Sequence, residues 1–99
     1  MIRATLHMKV KPGRGADFER AWEAIAEKVR QAPGHIRQAL LKDPNDPESF
    51  VLTSDWQSGD HFHAFERSPE QDDLTAPLRE LRKSASMDIH QLVKHVEGA

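Results

Sequence analysis

The chain has 99 residues, none of them cysteine, and a formal net charge of -2 with acidic and basic side chains interspersed. The missing cysteine removes disulfides, thiolate metal sites and cysteine nucleophiles, and the lack of a concentrated basic face argues against nucleic acid or an anionic membrane as partner. One domain across residues 1–99 is expected; a domain this small buries roughly 60–70% of its unfolded surface, a thin core that a second subunit would help to complete. No apolar run reaches membrane-spanning length, and the start MIRATLHMKV lacks a signal peptide's apolar centre, so a soluble cytoplasmic protein is the expectation.

Residues 2–11 alternate, with Ile2, Ala4, Leu6, Met8 and Val10 on one side and Arg3, Thr5, His7, Lys9 and Lys11 on the other, the period of a strand with one buried face. Pro12-Gly13-Arg14-Gly15 breaks the strand. The next segment carries Phe18, Ala21, Trp22, Ile25 and Val29 at steps of three and four, a helix stripe that Ala32-Pro33-Gly34 stops. Strands 35–42 and 49–56 then flank a turn over 43–48, rich in proline and turn-forming acids.

Trp56 ends the second of these strands, and Ser58 to Arg67 reads as a helix bearing His61, Phe62, His63 and Phe65. Ser68-Pro69-Glu70-Gln71 has the form of a fresh start: a serine cap, proline in the first turn and a glutamine reaching back. Pro77 predicts a further break or restart, with Leu78, Leu81 and Ala85 continuing an apolar stripe, and a last strand over Ser86 to Val96 closes the chain. The order is βαββαβ, which predicts an α+β, ferredoxin-like antiparallel sheet with its helices on one face. The other face is expected to hold His7, Val51, Thr53, Asp55 and His90. The parity of strands 35–42 and 86–96 stays open, because Leu40-Leu41 and Leu92-Val93 put apolar side chains on both faces. Apolar groups on a second face call for a second cover, and another copy of the chain, sheet against sheet, is the economical one.

His61-Phe62-His63 would aim both imidazoles one way on a strand, but on a helix residues two apart lie roughly 200° apart and cannot share an ion. No metal is therefore expected. The helical period groups Ser58, His61, Phe62 and Phe65 and swings His63 toward solvent, so His61 is expected to share a cavity with Trp56. Gly13-Arg14-Gly15 lacks the partners of a phosphate loop and reads as a plain turn. Arg79, Arg82 and Lys83 read as a solvated cluster at the negative end of the helix dipole. The Phe18/Trp22 stripe reads first as core.

The spacing of Trp56, Ser58, Phe62, Phe65, Ser68 and Pro69, with Val10-Lys11-Pro12-Gly13 and Pro33-Gly34 upstream, resembles the antibiotic biosynthesis monooxygenase family across essentially the whole chain. The chain is also similar to small oxygenase-type proteins of aromatic polyketide and spore-pigment pathways. The resemblance implies a dimeric α+β barrel with a pocket in each subunit between sheet and helices. It further implies oxidation of an aromatic substrate by O2 without metal, flavin or haem. On it, Trp56 and His61 become the candidate catalytic residues, His61 as base; a quinol-oxidising branch carries a histidine matching His61. Phe62, Phe65, Leu52, Leu6, Trp22 and Thr75 become candidate substrate contacts. The chain departs from the anthrone-oxidising branch where Phe62 replaces a tyrosine, Leu52 an asparagine and Thr75 lies near an arginine position. It departs from the haem-degrading branch at Leu6, near an asparagine, and at Thr75, near the iron-binding histidine. Three functions follow as expectations: a cofactor-independent monooxygenase for an anthrone- or hydroquinone-like polyketide, a polyketide cyclase, or a non-catalytic small-molecule-binding accessory protein.

Overall fold

The computed structural model describes residues 1–99. Seven elements follow in order: β1 (Ile2–Val10), α1 (Gly15–Val29), β2 (His35–Asp43), β3 (Asp46–Trp56), α2 (Gly59–Glu66), α3 (Pro69–Leu81) and β4 (Arg82–Gln91). The four strands form one antiparallel sheet in the order β2-β3-β1-β4. This is the ferredoxin-like α+β arrangement.

Alternation in β1 decides which face is which. Ala4, Met8 and Val10 are buried under the helices with Phe18, Ile25 and Val29 of α1, Phe50 of β3 and Leu78 of α3. The Phe18 and Phe50 rings meet at 5.1 Å between centroids. On the opposite side, register places Arg3 beside Asp55 and His90, Thr5 beside Thr53, and His7 beside Val51. All five residues expected on the helix-free face are on it. The open parities are settled by the same pairing: Ala39 and Leu41 oppose Thr53 and Val51 on the free face, while Met87 and Ile89 oppose Leu6 and Ala4 on the helix side. Asp55 is 1% exposed although it sits on the free face, because Arg3 grips it through two hydrogen bonds of 2.7 and 2.9 Å and Arg37 flanks it.

Three boundaries differ from the sequence reading. The hairpin turn is only Pro44-Asn45. Asp43 pairs with Asp46, its carboxylate accepts from the Asn45 N–H, and a register shift between Lys42 and Asp43 absorbs Pro47 and its neighbours into an irregular start of β3. Proline is tolerated there because a bulge needs no ladder N–H. Helix α3 runs unbroken through Pro77. Pro77 and Asp73, whose carbonyl would have accepted from residue 77, are both exposed, so that oxygen is left on the side open to water. Strand β4 begins at Arg82 and stops at Gln91, four residues earlier and five residues earlier than expected. Ala85 consequently lies in the sheet opposite Met8 rather than on a helix stripe. Ladder pairing stops where β1 begins: Gln91 opposes Ile2, and the Leu92 N–H donates to the Met1 carbonyl as the last bond. No helix is long and apolar enough to cross a membrane.

Candidate functional site

The residues around Trp56 are arranged by two serine caps. Ser58 is in extended backbone and its hydroxyl accepts from the His61 N–H at 3.2 Å, starting α2 two residues after the strand ends. Ser68 does the same for α3, accepting from the Gln71 N–H. The Gln71 side chain does not reach back to complete a capping box; its amide points forward to the Thr75 hydroxyl at 3.3 Å. Two short helices thus fold over the end of the sheet.

Trp56 is 1% exposed and lies between the sheet and these helices. His35 meets it edge-on at 5.1 Å, Phe62 at 5.7 Å, and Phe65 in a tilted contact at 5.1 Å. Its indole N–H donates to the Ser54 hydroxyl at 3.0 Å, so the one polar group of this candidate catalytic side chain is already engaged.

A cavity of about 350 Å³ opens beside this cluster, between sheet and helices. Seven of the eight expected site residues line it: Trp56, Phe62, Phe65, Leu52, Leu6, Trp22 and Thr75. The eighth does not. His61 lines a broader groove of about 870 Å³ outside α2, with Lys28, Ala32 and Pro33, and Phe65 is the wall shared by both hollows. The expectation that Trp56 and His61 face one cavity is therefore corrected. Neighbouring helix positions differ by about 100°, so while Phe62 turns onto the sheet at 4% exposure, His61 turns toward the end of α1. There its ring lies over Gly34, whose positive φ of 82° and missing side chain make the approach feasible: a Cβ at Gly34 would stand 2.3 Å from His61 Cγ. The His61 Nδ1 is 2.7 Å from the Ser58 hydroxyl. His63 is exposed beside Glu66, as expected.

Eight of the twenty residues lining the cavity are polar or charged. Gln38 donates from its amide to the Ala26 carbonyl. Thr75 donates to the Gln71 carbonyl at 2.8 Å and accepts from Arg79 Nη1 at 2.6 Å. Arg82 lines the same end. Both arginines were read from sequence as solvated; the overlooked signal is that positions 75, 78, 79 and 82 recur at steps of three and four with the buried Leu78. His35 was also missed. Its Nε2 is buried without a hydrogen-bond partner, and burial first, then the nearby Arg30, lowers its pKa below the usual imidazole value, against the opposing pull of Asp55. Nothing short of the β2–β3 register could have placed it against Trp56. No three His, Asp or Glu side chains gather as a ligand set for a metal ion.

An antiparallel ferredoxin-like sheet with an aromatic-walled cavity under two capped helices defines a class of small α+β proteins. The profile of the antibiotic biosynthesis monooxygenase family matches residues 1–76, and the chain belongs to that family. Among curated proteins, it is 30% identical over 77 residues to protein SchA of Streptomyces halstedii, covering 78% of this chain and 20% of that protein. It is 28% identical over 97 residues to a 42.8 kDa protein in the whiE locus of Streptomyces coelicolor, covering 98% and 24%. The chain thus spans a fifth to a quarter of the length of these relatives. Its fold is similar to that of SnoaB, a cofactor-independent oxygenase from Streptomyces nogalater, with a TM-score of 0.86 at 21% identity over 98% of this chain and 97% of that one.

Proposed function

We propose that the chain is a cofactor-independent monooxygenase that oxidises an electron-rich aromatic polyketide, of anthrone or hydroquinone type, to a quinone with O2. The observation that carries this reading is the 350 Å³ cavity with rings from Trp22, Trp56, Phe62 and Phe65 in its walls, in a chain of this family. Flat rings suit a flat aromatic ligand, and an apolar surround excludes water from a reactive anion. The likeness to SnoaB gives further support.

For an anthrone, loss of a proton from the ring methylene gives an electron-rich anion, which passes one electron to O2. The resulting radical pair forms a C–O bond as a peroxide anion, which is protonated. Removal of the second hydrogen from that carbon breaks the O–O bond, giving the carbonyl and water. The protein's share is orientation, exclusion of water and stabilisation of anionic oxygen. Trp56 acts as a wall rather than as a donor, since Ser54 holds its N–H. His61 serves as base only for a substrate that extends past Phe65 into the outer groove.

A homodimer joined through the helix-free sheet face, forming a joint α+β barrel, and a cytoplasmic location belong to the same reading, with residues 1–99 acting as one domain. A ring-closure or binding role is the second reading. It is favoured by one observation: no imidazole lines the inner cavity. Oxygen uptake with anthrones and hydroquinones, against an anaerobic control, separates the two. Uptake with quinone formation is the expected result; substrate conversion that continues unchanged without oxygen would establish the second reading instead.

A further inference from the structure

Arg82 opens β4 opposite Val10, at the end of the cavity where α3 finishes. Its guanidinium makes no hydrogen bond and no ion pair with any group of the chain, although the residue is partly buried. Burial, and then the charge of Arg79, lower its pKa from the ordinary arginine value. Arg79, by contrast, is fixed: Nη1 donates to the Thr75 hydroxyl at 2.6 Å and Nη2 to the Asp72 carbonyl at 2.7 Å.

The two carboxylates that also line the cavity lie nearer to other side chains than to Arg82. Asp72 is largely exposed and stands 3.7 Å from Arg79, and Glu66 stands 3.5 Å from His63. Arg82 is therefore a cavity-lining cation that no carboxylate of the chain pairs. Its guanidinium nitrogens keep contact with solvent, so a ligand can reach them, and an arginine fork is shaped for planar oxygen anions. The arrangement is complete when the occupant brings the anion.

We propose that Arg82, with Arg79 as its fixed neighbour, is the anchoring subsite for an anionic oxygen, a carboxylate or an ionised phenol, on a planar aromatic ligand of this cavity. The inference rests on reading the cavity as the substrate site, though not on oxygenase chemistry. It also bears on that chemistry. Holding the ionised form at Arg82 makes the bound phenol or enol more acidic, so proton loss needs less help from a base, which fits a cavity with no imidazole in its wall.

The test uses the full chain and three probes, by calorimetry and absorbance. 2-Naphthoate is expected to bind about 10-fold or more tightly than neutral 2-naphthamide, the scale of a hydrogen bond to a charged group. 2-Naphthol is expected to ionise at lower pH when bound than when free. Preference for the naphthoate alone identifies a carboxylate as the natural anion, and the naphthol shift alone identifies a phenolate; either supports the subsite. Arg82→Gln should abolish both effects while leaving 2-naphthamide affinity within about 2-fold, and Arg82→Lys should retain part of them. Equal affinity for naphthoate and naphthamide with no naphthol shift, no binding of any probe, or effects that survive Arg82→Gln would each overturn the proposal. Arg82→Gln that fails to fold leaves the wild-type comparison decisive. Oxygen uptake does not enter these readouts, so failure of the oxygenase reading and failure of the subsite are separate results.

Discussion

His61 and His63 were separated correctly by the helical period, but the period says nothing about which neighbour a residue meets. His61 stands about 100° around α2 from Phe62, and what it meets there is the Gly34 backbone, distant in sequence. The expected kinetic outcome follows from that position. His61→Ala should lower turnover by less than about 10-fold, whereas loss of a general base costs 10²–10⁴-fold as an order of magnitude (~); a loss of the larger size would place the substrate in the outer groove. His63→Ala should leave turnover unchanged. His35 carries a different prediction. Its folded pKa is lowered, chiefly by burial, so the folded state favours neutral imidazole. Its contribution to stability is full above the unfolded value of about 6.5 and is lost as pH falls from there toward the folded value. The difference in urea midpoint between wild type and His35→Phe, followed from neutral to acid pH, should change across that window. A difference that stays constant through it would rule out the buried neutral imidazole.

Among the elements, β1, α1 and α2 were legible because each is buried on one side or marked by a cap. Met8 and Val10 need the helices, Phe18 and Ile25 need the sheet, and Ser58 begins α2 at the expected place. The hairpin and β4 were not legible to the residue. Every position of β4 after Arg82 is exposed, so no inside-outside contrast writes its boundaries into the sequence, and pairing with β1 alone sets them. The α1–β2 turn offers a test at this scale. Gly34 has φ 82°, and a Cβ there would meet three atoms of the His61 side chain within 2.5 Å. Gly34→Ala should therefore destabilise the fold by about 1–3 kcal/mol through backbone strain and displacement of α2. Pairing it with His61→Ala should recover part of the loss by removing the ring that clashes. Additive losses in thermal unfolding would show that the imidazole is not what the new methyl group meets.

At the scale of the whole chain, only 11 of 99 residues are buried, a small core for a chain of this length, and the uncovered apolar groups lie on surfaces that a second copy could cover. Met87 and Ile89 stand 41% and 46% exposed on the helix side of β4, while Leu41 is 50% exposed on the helix-free face beside Val51. The charged centre of that face is already neutralised within the chain, since Arg3 and Arg37 hold Asp55 below the ordinary carboxylate range, the Arg3 hydrogen bond contributing most. A self-paired ion cluster can be covered by a partner at smaller cost than free charges would allow. The expected assembly is accordingly a homodimer of twice 11.3 kDa at micromolar concentration, measured by light scattering. Leu41→Lys should shift the mass toward 11.3 kDa. Its melting temperature in the monomer should change little, because a side chain already half in water contributes little to the single chain's core. Wild-type protein that remains monomeric at those concentrations would remove the dimer, and a dimer untouched by Leu41→Lys would move the interface away from this face.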